Sequence, residues 1–448
     1  MDYLMVAAVA VFVVTLFLMI KRPFGLRLGY AAGIGAAASL LLGTVTLGQA
    51  AQSFLDIWDA ALAFIGIVAL SVILDAMGFF KWAALRVVRL AKGSGVRLYF
   101  YVSLLTAAVA ILFANDSAVL ILTPIVLEII SQLKIDGKGR MAYLFSAGLI
   151  ADTAAMPLIT SNPINILSAD FFKYTFIDHL VFMGPIAIAT IASSILLVYL
   201  FFRKRIPKAY DVGLVDALSS ASSPITPKLL KVSLATLVAI DVGYVVASLL
   251  RIPVSLVICS GAVFLLAVYV TSLNGEIVRG ERKGLKGLAR DINWDIVLFM
   301  LSIFLVVQAL TNAGVTEFLA STLVSASALP SALGVIAPSL VVTVGASFMN
   351  NWPMTILGLL SIKQAAVTGT VLTGLVFSNV IGNNLGPHFF PLGSLAILMW
   401  LETMRRKGVN ISLKEYLKVG AVLSIVEVVV ASLVLWLEIT YLGFGLNL

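Results

Sequence analysis

Four segments of this 448-residue chain interrupt long apolar runs with asparagine, aspartate, serine, glycine and proline. They are Ala114-Asn115-Asp116-Ser117 with Thr123-Pro124, and Asp152-Thr153 through Thr160-Ser161-Asn162-Pro163-Ile164-Asn165. The other two are Phe348-Met349-Asn350-Asn351-Trp352-Pro353, and Ser378-Asn379 with Gly382-Asn383-Asn384-Leu385-Gly386-Pro387 before His388. Proline removes a helix hydrogen bond, and Asn or Ser side chains can take over freed backbone groups. The amides and hydroxyls can recognise a solute by hydrogen bonds, and the carboxylates can exchange protons. Asn115, Ser117, Ser161, Asn162, Asn165, Asn350, Asn351, Asn383 and Asn384 are therefore candidate substrate ligands. Asp116 and Asp152 are candidate proton carriers, Asp116 before Asp152. An acid at mid-membrane is costly and by default marks an ion, proton or substrate path. The alternatives are a half-helix cap for Asp116 and an interhelical hydrogen bond for Asp152. His388 serves equally as a proton relay or as a structural histidine. Glu128 lies near an interface, and Asp75, Asp241 and Glu427 read as structural.

Only lipid can accommodate the elements around these breaks. The chain is 61% hydrophobic and 12% charged, against about 25% charged residues in soluble domains. Disordered, disulfide-scaffold and nucleic-acid-binding classes are thereby excluded. One cysteine, Cys259, allows neither an intramolecular disulfide nor a thiolate metal cluster. A spanning helix needs about 20 apolar residues, and spans fall near 3–20, 24–47, 56–79, 141–168, 179–202, 229–249, 253–272, 293–313, 370–401 and 413–441. The first run has Lys21–Arg22 after it, which reads as a retained span and not a secretory signal. The stretches 98–133 and 330–362 are too long for one helix and barely make two. Length favours re-entrant hairpins, although two full spans leave the topology unchanged. Residues 80–95 read as an interfacial amphipathic helix.

With both termini outside, all of the 30 Lys and Arg except Lys173, Arg251 and Lys363 fall on the inner side. The net charge of +8 thus reports orientation rather than an acidic partner. Trp58–Gly78 aligns without gaps to Trp294–Gly314, matching at Trp58/Trp294, Asp59/Asp295, Leu62/Leu298, Ile67/Ile303, Leu74/Leu310 and Gly78/Gly314. Asn115–Asp116 then pairs with Asn350–Asn351, and Ser161-Asn162-Pro163 with the Gly382–Pro387 segment. The two copies run in opposite directions, which is the plan of many secondary transporters. The reading is an all-α polytopic membrane protein, an inverted-repeat transporter with about ten spans plus two re-entrant hairpins. Its parts are a first repeat 1–202, a cytoplasmic linker 203–228 and a second repeat 229–448. No Lys or Arg lies in the four broken regions, which disfavours an anionic substrate and suits a neutral polyol-like solute or a bare cation. An intramembrane enzyme would need a nucleophile–base pair or metal cluster, and two histidines with one cysteine offer none. A channel has no special need of paired inverted breaks.

At these motifs the chain resembles the arsenical pump membrane proteins, the arsenite/antimonite efflux permeases of the ion-transporter superfamily. The resembling stretches are Asn115-Asp116-Ser-Ala-Val-Leu-Ile-Leu-Thr123-Pro124, Ile150-Ala-Asp152-Thr-Ala-Ala-Met-Pro157, Ser161-Asn162-Pro-Ile-Asn165, Asn350-Asn351-x-Pro353, and Gly382-Asn-Asn-Leu-Gly386-Pro387 followed by Pro391-Leu-Gly393. The resemblance implies efflux of arsenite and antimonite as neutral trihydroxides in exchange for protons across the cytoplasmic (inner) membrane. It further implies an optional soluble ATPase subunit, no cofactor, and a mobile transport unit moving like an elevator against a scaffold. The rival reading is another carrier of the superfamily, a sodium/proton exchanger or a carboxylate or sulfate transporter.

Overall fold

The computed structural model describes residues 3–135, 137–211, 213–214 and 225–446. Part of the linker read at 203–228, including its Ser-rich run and Pro224, lies outside the described residues. Among the described residues no strand forms, only one isolated bridge between Ser94 and Ala209. In lipid, helices satisfy their own backbone groups, so an all-helical fold is what so apolar a chain requires.

In chain order the first half has α1 (Tyr3–Lys21), α2 (Leu28–Leu41), α3 (Leu47–Met77), α4 (Phe79–Leu90), α5 (Gly95–Phe113) and α6 (Asn115–Gln132). It continues through α7 (Arg140–Phe145), a π-helical turn Ser146–Ile150, α8 (Ala151–Thr153), a 3-10 turn Ile159–Ser161, α9 (Pro163–Phe172) and α10 (Phe176–Phe202). The second half has α11 (Pro227–Leu249), α12 (Val254–Val278), α13 (Leu285–Asp291), α14 (Trp294–Asn312), α15 (Val315–Ser327), α16 (Leu333–Met349) and α17 (Asn351–Gln364). It ends with α18 (Gly369–Leu385), 3-10 turns Gly386–His388 and Pro391–Gly393, α19 (Leu395–Arg406) and α20 (Leu413–Tyr441).

Among the described residues nine helices are long and apolar enough to cross a membrane: α1, α3, α5, α6, α10, α11, α12, α14 and α20. The span read at 24–47 is shorter than expected, because Pro23–Gly25 forms a 3-10 turn before it and Gly43 turns the chain after α2. Both arms of the first long stretch, α5 and α6, reach spanning length, whereas α16 and α17 are shorter. The amphipathic segment forms α4, which buries Phe80, Ala84 and Val88 and leaves Lys81, Arg86 and Arg89 more exposed.

The aligned segments behave alike in backbone terms. Gly78 and Gly314 both end their helices in the left-handed region (φ 87° and 79°), where glycine has no Cβ penalty, and each starts a following helix. Asp59 Oδ1 accepts the Ser255 N–H of the first turn of α12 (3.1 Å), and Asp295 Oδ1 accepts the Gly29 N–H of the first turn of α2 (3.1 Å). Each aspartate therefore satisfies an orphan helix N-terminus in the other half. These contacts seat α3 along α12 and α14 along α2. The hairpin tips also match: Ala114 (φ 64°, ψ 155°) and Asn350 (φ 80°, ψ 148°) are each the single left-handed residue between two helical arms. This pairs Asn115 with Asn351, one residue out of step with the pairing expected from the asparagine dipeptides. It continues the gapless frame of Trp58 and Trp294. The doubled Asn350–Asn351 misleads the eye because the first asparagine occupies the alanine position of the other tip.

A second expectation also shifts. Gly382-Asn383-Asn384 is not unwound; it lies inside continuous α18, and the break begins at Gly386. The counterpart of Asn162 is instead Ser394, since each follows a 3-10 turn and caps the next helix with its side chain. Gly382 sits within α18 because its backbone packs against Val342 and the Ser339 carbonyl, which a side chain would displace.

Candidate functional site

The two broken helices and the two hairpin tips meet in the interior, and their polar side chains face one another there. Asn162 Nδ2 donates to Asn384 Oδ1 (3.0 Å), while Ser394 Oγ donates to Asp152 Oδ1 (3.3 Å). Each cap residue thus reaches across to the end of the opposite half's incoming helix. Asn384 Nδ2 donates in turn to Asn165 Oδ1 (2.9 Å), and Asn165 Nδ2 to the carbonyls of Ala155 (2.9 Å) and Leu158 (3.2 Å). Ser161 Oγ donates to the Ile111 carbonyl (2.8 Å) and accepts the Leu158 N–H (3.3 Å). Asn162, Asn165, Asn384 and Ser161 therefore hold the unwound backbone that a break in lipid must satisfy.

At the first tip Asn115 Nδ2 donates to Asp152 Oδ1 at 2.6 Å, and Asn115 Oδ1 accepts the Asp116 N–H at 2.9 Å. At the second, Asn350 Nδ2 donates to the Leu392 carbonyl (3.2 Å) and its Oδ1 accepts the Trp352 N–H (3.2 Å). Positive φ at a non-glycine tip residue is strain of the kind concentrated at functional sites. Asn115 and Asn350 are thus fully engaged in shaping the tips.

The remaining predicted residues differ. Asp116 and Ser117 are buried in the first turn of α6, and among the described residues nothing hydrogen-bonds to either side chain. Asn351 and Asn383 are also buried, and the amide oxygen of each has no hydrogen-bond partner. These two are linked through Thr355 and Asn379. Thr355 donates to the Asn351 carbonyl (2.7 Å), Asn379 Nδ2 to the Thr355 carbonyl (3.4 Å), and Asn383 Nδ2 to Asn379 Oδ1 (3.0 Å).

Sequence reasoning missed one member of this interior. His388 Nδ1 lies 2.8 Å from Glu427 Oε2, while its Nε2 lies 3.5 Å from Asp152 Oδ2. Glu427, the one charge in the stretch 419–437, was the available signal, but a lone acid on a helix does not reveal its partner. Glu128 is half-exposed beside Lys81 (3.9 Å).

The model of the arsenical pump membrane protein family matches residues 7–439. The chain belongs to this family. It is 39% identical over 438 residues to an arsenical pump membrane protein of Escherichia coli, covering 97% of this chain and all of the relative. One from Yersinia enterocolitica is 38% identical over 441 residues, again covering 97% of this chain and all of the relative. Among solved structures, the Alcanivorax borkumensis YdaH transporter matches with a TM-score of 0.55 at 14% identity, covering 88% of this chain and 87% of that one. Neisseria gonorrhoeae MtrF, from a class of antimetabolite efflux pumps, matches with a TM-score of 0.54 at 13% identity, covering 98% and 95%. At such identities these two establish fold alone. The family and the apolar helices make this chain a multi-pass membrane transport protein.

Proposed function

We propose that the chain exports arsenite and antimonite, as neutral trihydroxides, from the cytoplasm in exchange for protons. The observation that carries this reading is the pair of buried, unpartnered amide oxygens on Asn351 and Asn383. A buried acceptor without a donor is costly, and a solute bearing several O–H groups supplies donors. Ser117 and Asp116 are the free polar groups of the other tip. The asparagines and serines that hold the breaks define the walls around them. The absence of Lys and Arg from all four broken regions argues in the same direction, against an anionic cargo.

Asp116 is the proposed exchanging carboxylate, with Asp152 second and His388 as relay. One charge crossing 100 mV supplies about 2.3 kcal/mol, enough for roughly a fifty-fold gradient of a neutral solute. One-for-one exchange is therefore adequate, and an ATPase subunit is an optional aid. The basic-residue distribution supports termini on the outside. That orientation turns a cavity of about 380 Å³, lined by Pro124, Glu128, Gln132, Arg140 and Lys407, toward the cytoplasm as a vestibule below the α6 tip. The paired contacts Asp59–Ser255 and Asp295–Gly29 support two inverted repeats, with α2, α3, α12 and α14 as scaffold and the hairpins and broken helices as the moving unit.

Thiol coordination has no part in this reading. Cys259 is on α12, its sulfur 3.6 Å from the Leu62 carbonyl in the α3–α12 contact. Cys259→Ser is expected to retain arsenite efflux; lost transport at normal membrane abundance would reinstate a thiolate ligand. The test of the function itself is arsenite resistance and everted-vesicle uptake in a pump-deleted host. Proton-dependent arsenite uptake is expected, and sodium-dependent succinate uptake without it would replace this reading by the carboxylate-carrier one.

A further inference from the structure

One buried ionisable side chain has no part in the exchange just described. Glu427 is 0% exposed on α20, and both its oxygens are engaged: Oε1 accepts the Thr153 hydroxyl (2.8 Å) and Oε2 faces His388 Nδ1 (2.8 Å). On the other side of the imidazole, Nε2 and Asp152 Oδ2 are buried 3.5 Å apart, and neither has a hydrogen-bond partner. Asp152 Oδ1, by contrast, already receives Asn115 and Ser394. Three ionisable groups from α8, the Gly386–His388 turn and α20 therefore stand in line. The neighbouring Tyr416 hydroxyl donates to the Pro387 carbonyl (3.3 Å), and Ser194 backs Thr153 at 3.3 Å.

With both acids ionised and the imidazole neutral, the cluster would hold two negative charges among buried side chains. Buried charges are tolerated only when paired, so one proton held between His388 Nε2 and Asp152 Oδ2 is the least that this arrangement requires. Glu427 has a hydrogen-bond partner at each oxygen. Asp152 Oδ2 is the vacant acceptor.

We propose that Glu427 is a positioning residue for proton coupling: it holds His388 as an imidazolium that hands its Nε2 proton to Asp152. This rests on the proton-exchange reading above. In the step, the Nε2–H bond breaks with its electron pair left on nitrogen, and an O–H bond forms at Asp152 Oδ2. An imidazolium–carboxylate pair becomes a neutral imidazole and a carboxylic acid, and Glu427 keeps its charge throughout. The movement needed is closure of the 3.5 Å gap into the range of about 2.6–3.2 Å for proton transfer. Asp152 and Thr153 are consecutive on α8, so a shift of α8 against α20 changes the distances to both ends of the relay together.

The full chain in everted vesicles tests this with Glu427→Gln, which keeps the Thr153 contact and removes the charge. Proton-driven arsenite accumulation is expected to fall from roughly fifty-fold at 100 mV toward unity. Arsenite–arsenite counterflow, which needs no net proton movement, is expected to persist. The double variant His388→Gln/Glu427→Gln removes the imidazolium with its counter-charge, guarding against misfolding of the single variant. It is expected to show the same split and to be no worse than His388→Gln alone. Retained proton-driven accumulation in either Glu427 variant overturns the proposal, as does equal loss of accumulation and counterflow at normal abundance, which would make Glu427 purely structural. If the parent protein itself shows no proton-driven uptake, the exchange reading fails and takes this proposal with it. Coupled uptake in the parent that survives in Glu427→Gln overturns this proposal alone.

Discussion

Vesicles carrying Asp116→Asn are expected to accumulate arsenite hardly above the bath concentration, where the parent protein reaches about fifty-fold at 100 mV. The substitution preserves shape and removes only the ability to carry a proton as a carboxylic acid. Asp116 is the acid at the first tip whose carboxylate is not committed: it is 7% exposed, with no hydrogen bond to its oxygens among the described residues. Asp152 has two donors on Oδ1 and His388 opposite Oδ2. Stability should change little. Asp116 lies in the first turn of α6, where an anion gains about 0.3–1 kcal/mol from the helix dipole, and losing that is offset by no longer burying a charge. Membrane abundance and melting temperature in detergent check the second point, and pH-gradient-driven uptake checks the first. Full accumulation would remove Asp116 as the proton carrier and leave Asp152.

Gly358→Ala is expected to have the largest effect on the integrity of the second-half site. A Cβ at this position of α17 would fall on the amide oxygen of Asn379 and 2.8 Å from its Cγ. Asn379 would have to leave its place, losing its bond to the Thr355 carbonyl and leaving Asn383 Nδ2 without its side-chain acceptor. Overpacking plus an unsatisfied buried amide costs roughly 2–5 kcal/mol, read as a lowered melting temperature and lost arsenite resistance. Gly345→Ala is the control. Its Cβ would meet the sulfur of Met354, the far end of a flexible side chain that can move aside, so a change within about 1 kcal/mol is expected. Equal melting temperatures for Gly358→Ala and the parent would show that the α17–α18 contact can open without cost.

Much of the architecture was legible because lipid imposes rules that act locally. A spanning helix must be long and apolar, and an interruption must carry its own hydrogen-bonding groups; both demands are met within one stretch of chain. The hairpin tips near Asn115 and Asn350, the amphipathic helix at Phe79–Leu90 and the breaks after Asp152 and around Pro387 appear where composition changes. The common frame of Trp58–Gly78 and Trp294–Gly314 is likewise written in residue identities, and the matching glycine caps and aspartate contacts follow it.

The division of labour among the polar residues was not legible, because it depends on what stands opposite. Asn162 and Asn383 are both asparagines in broken regions. The first spends its amide on Asn384 of the other half, while the second keeps an oxygen free. Nothing along either helix distinguishes them. The placement of Gly382-Asn383-Asn384 inside a helix was missed for the same reason: α18 continues because Gly382 lets α16 approach closely and Gly358 of α17 leaves room for Asn379. By itself the sequence determined that the chain lives in lipid, where it is broken, and which polar groups it brings to those breaks. Only the tertiary structure decided which of them hold the backbone, which keep an unpartnered oxygen, and that His388 stands between Asp152 and Glu427. A hydrogen bond is satisfied by a neighbour in space, and for Asn162 and Asp152 those neighbours come from the other half of the chain.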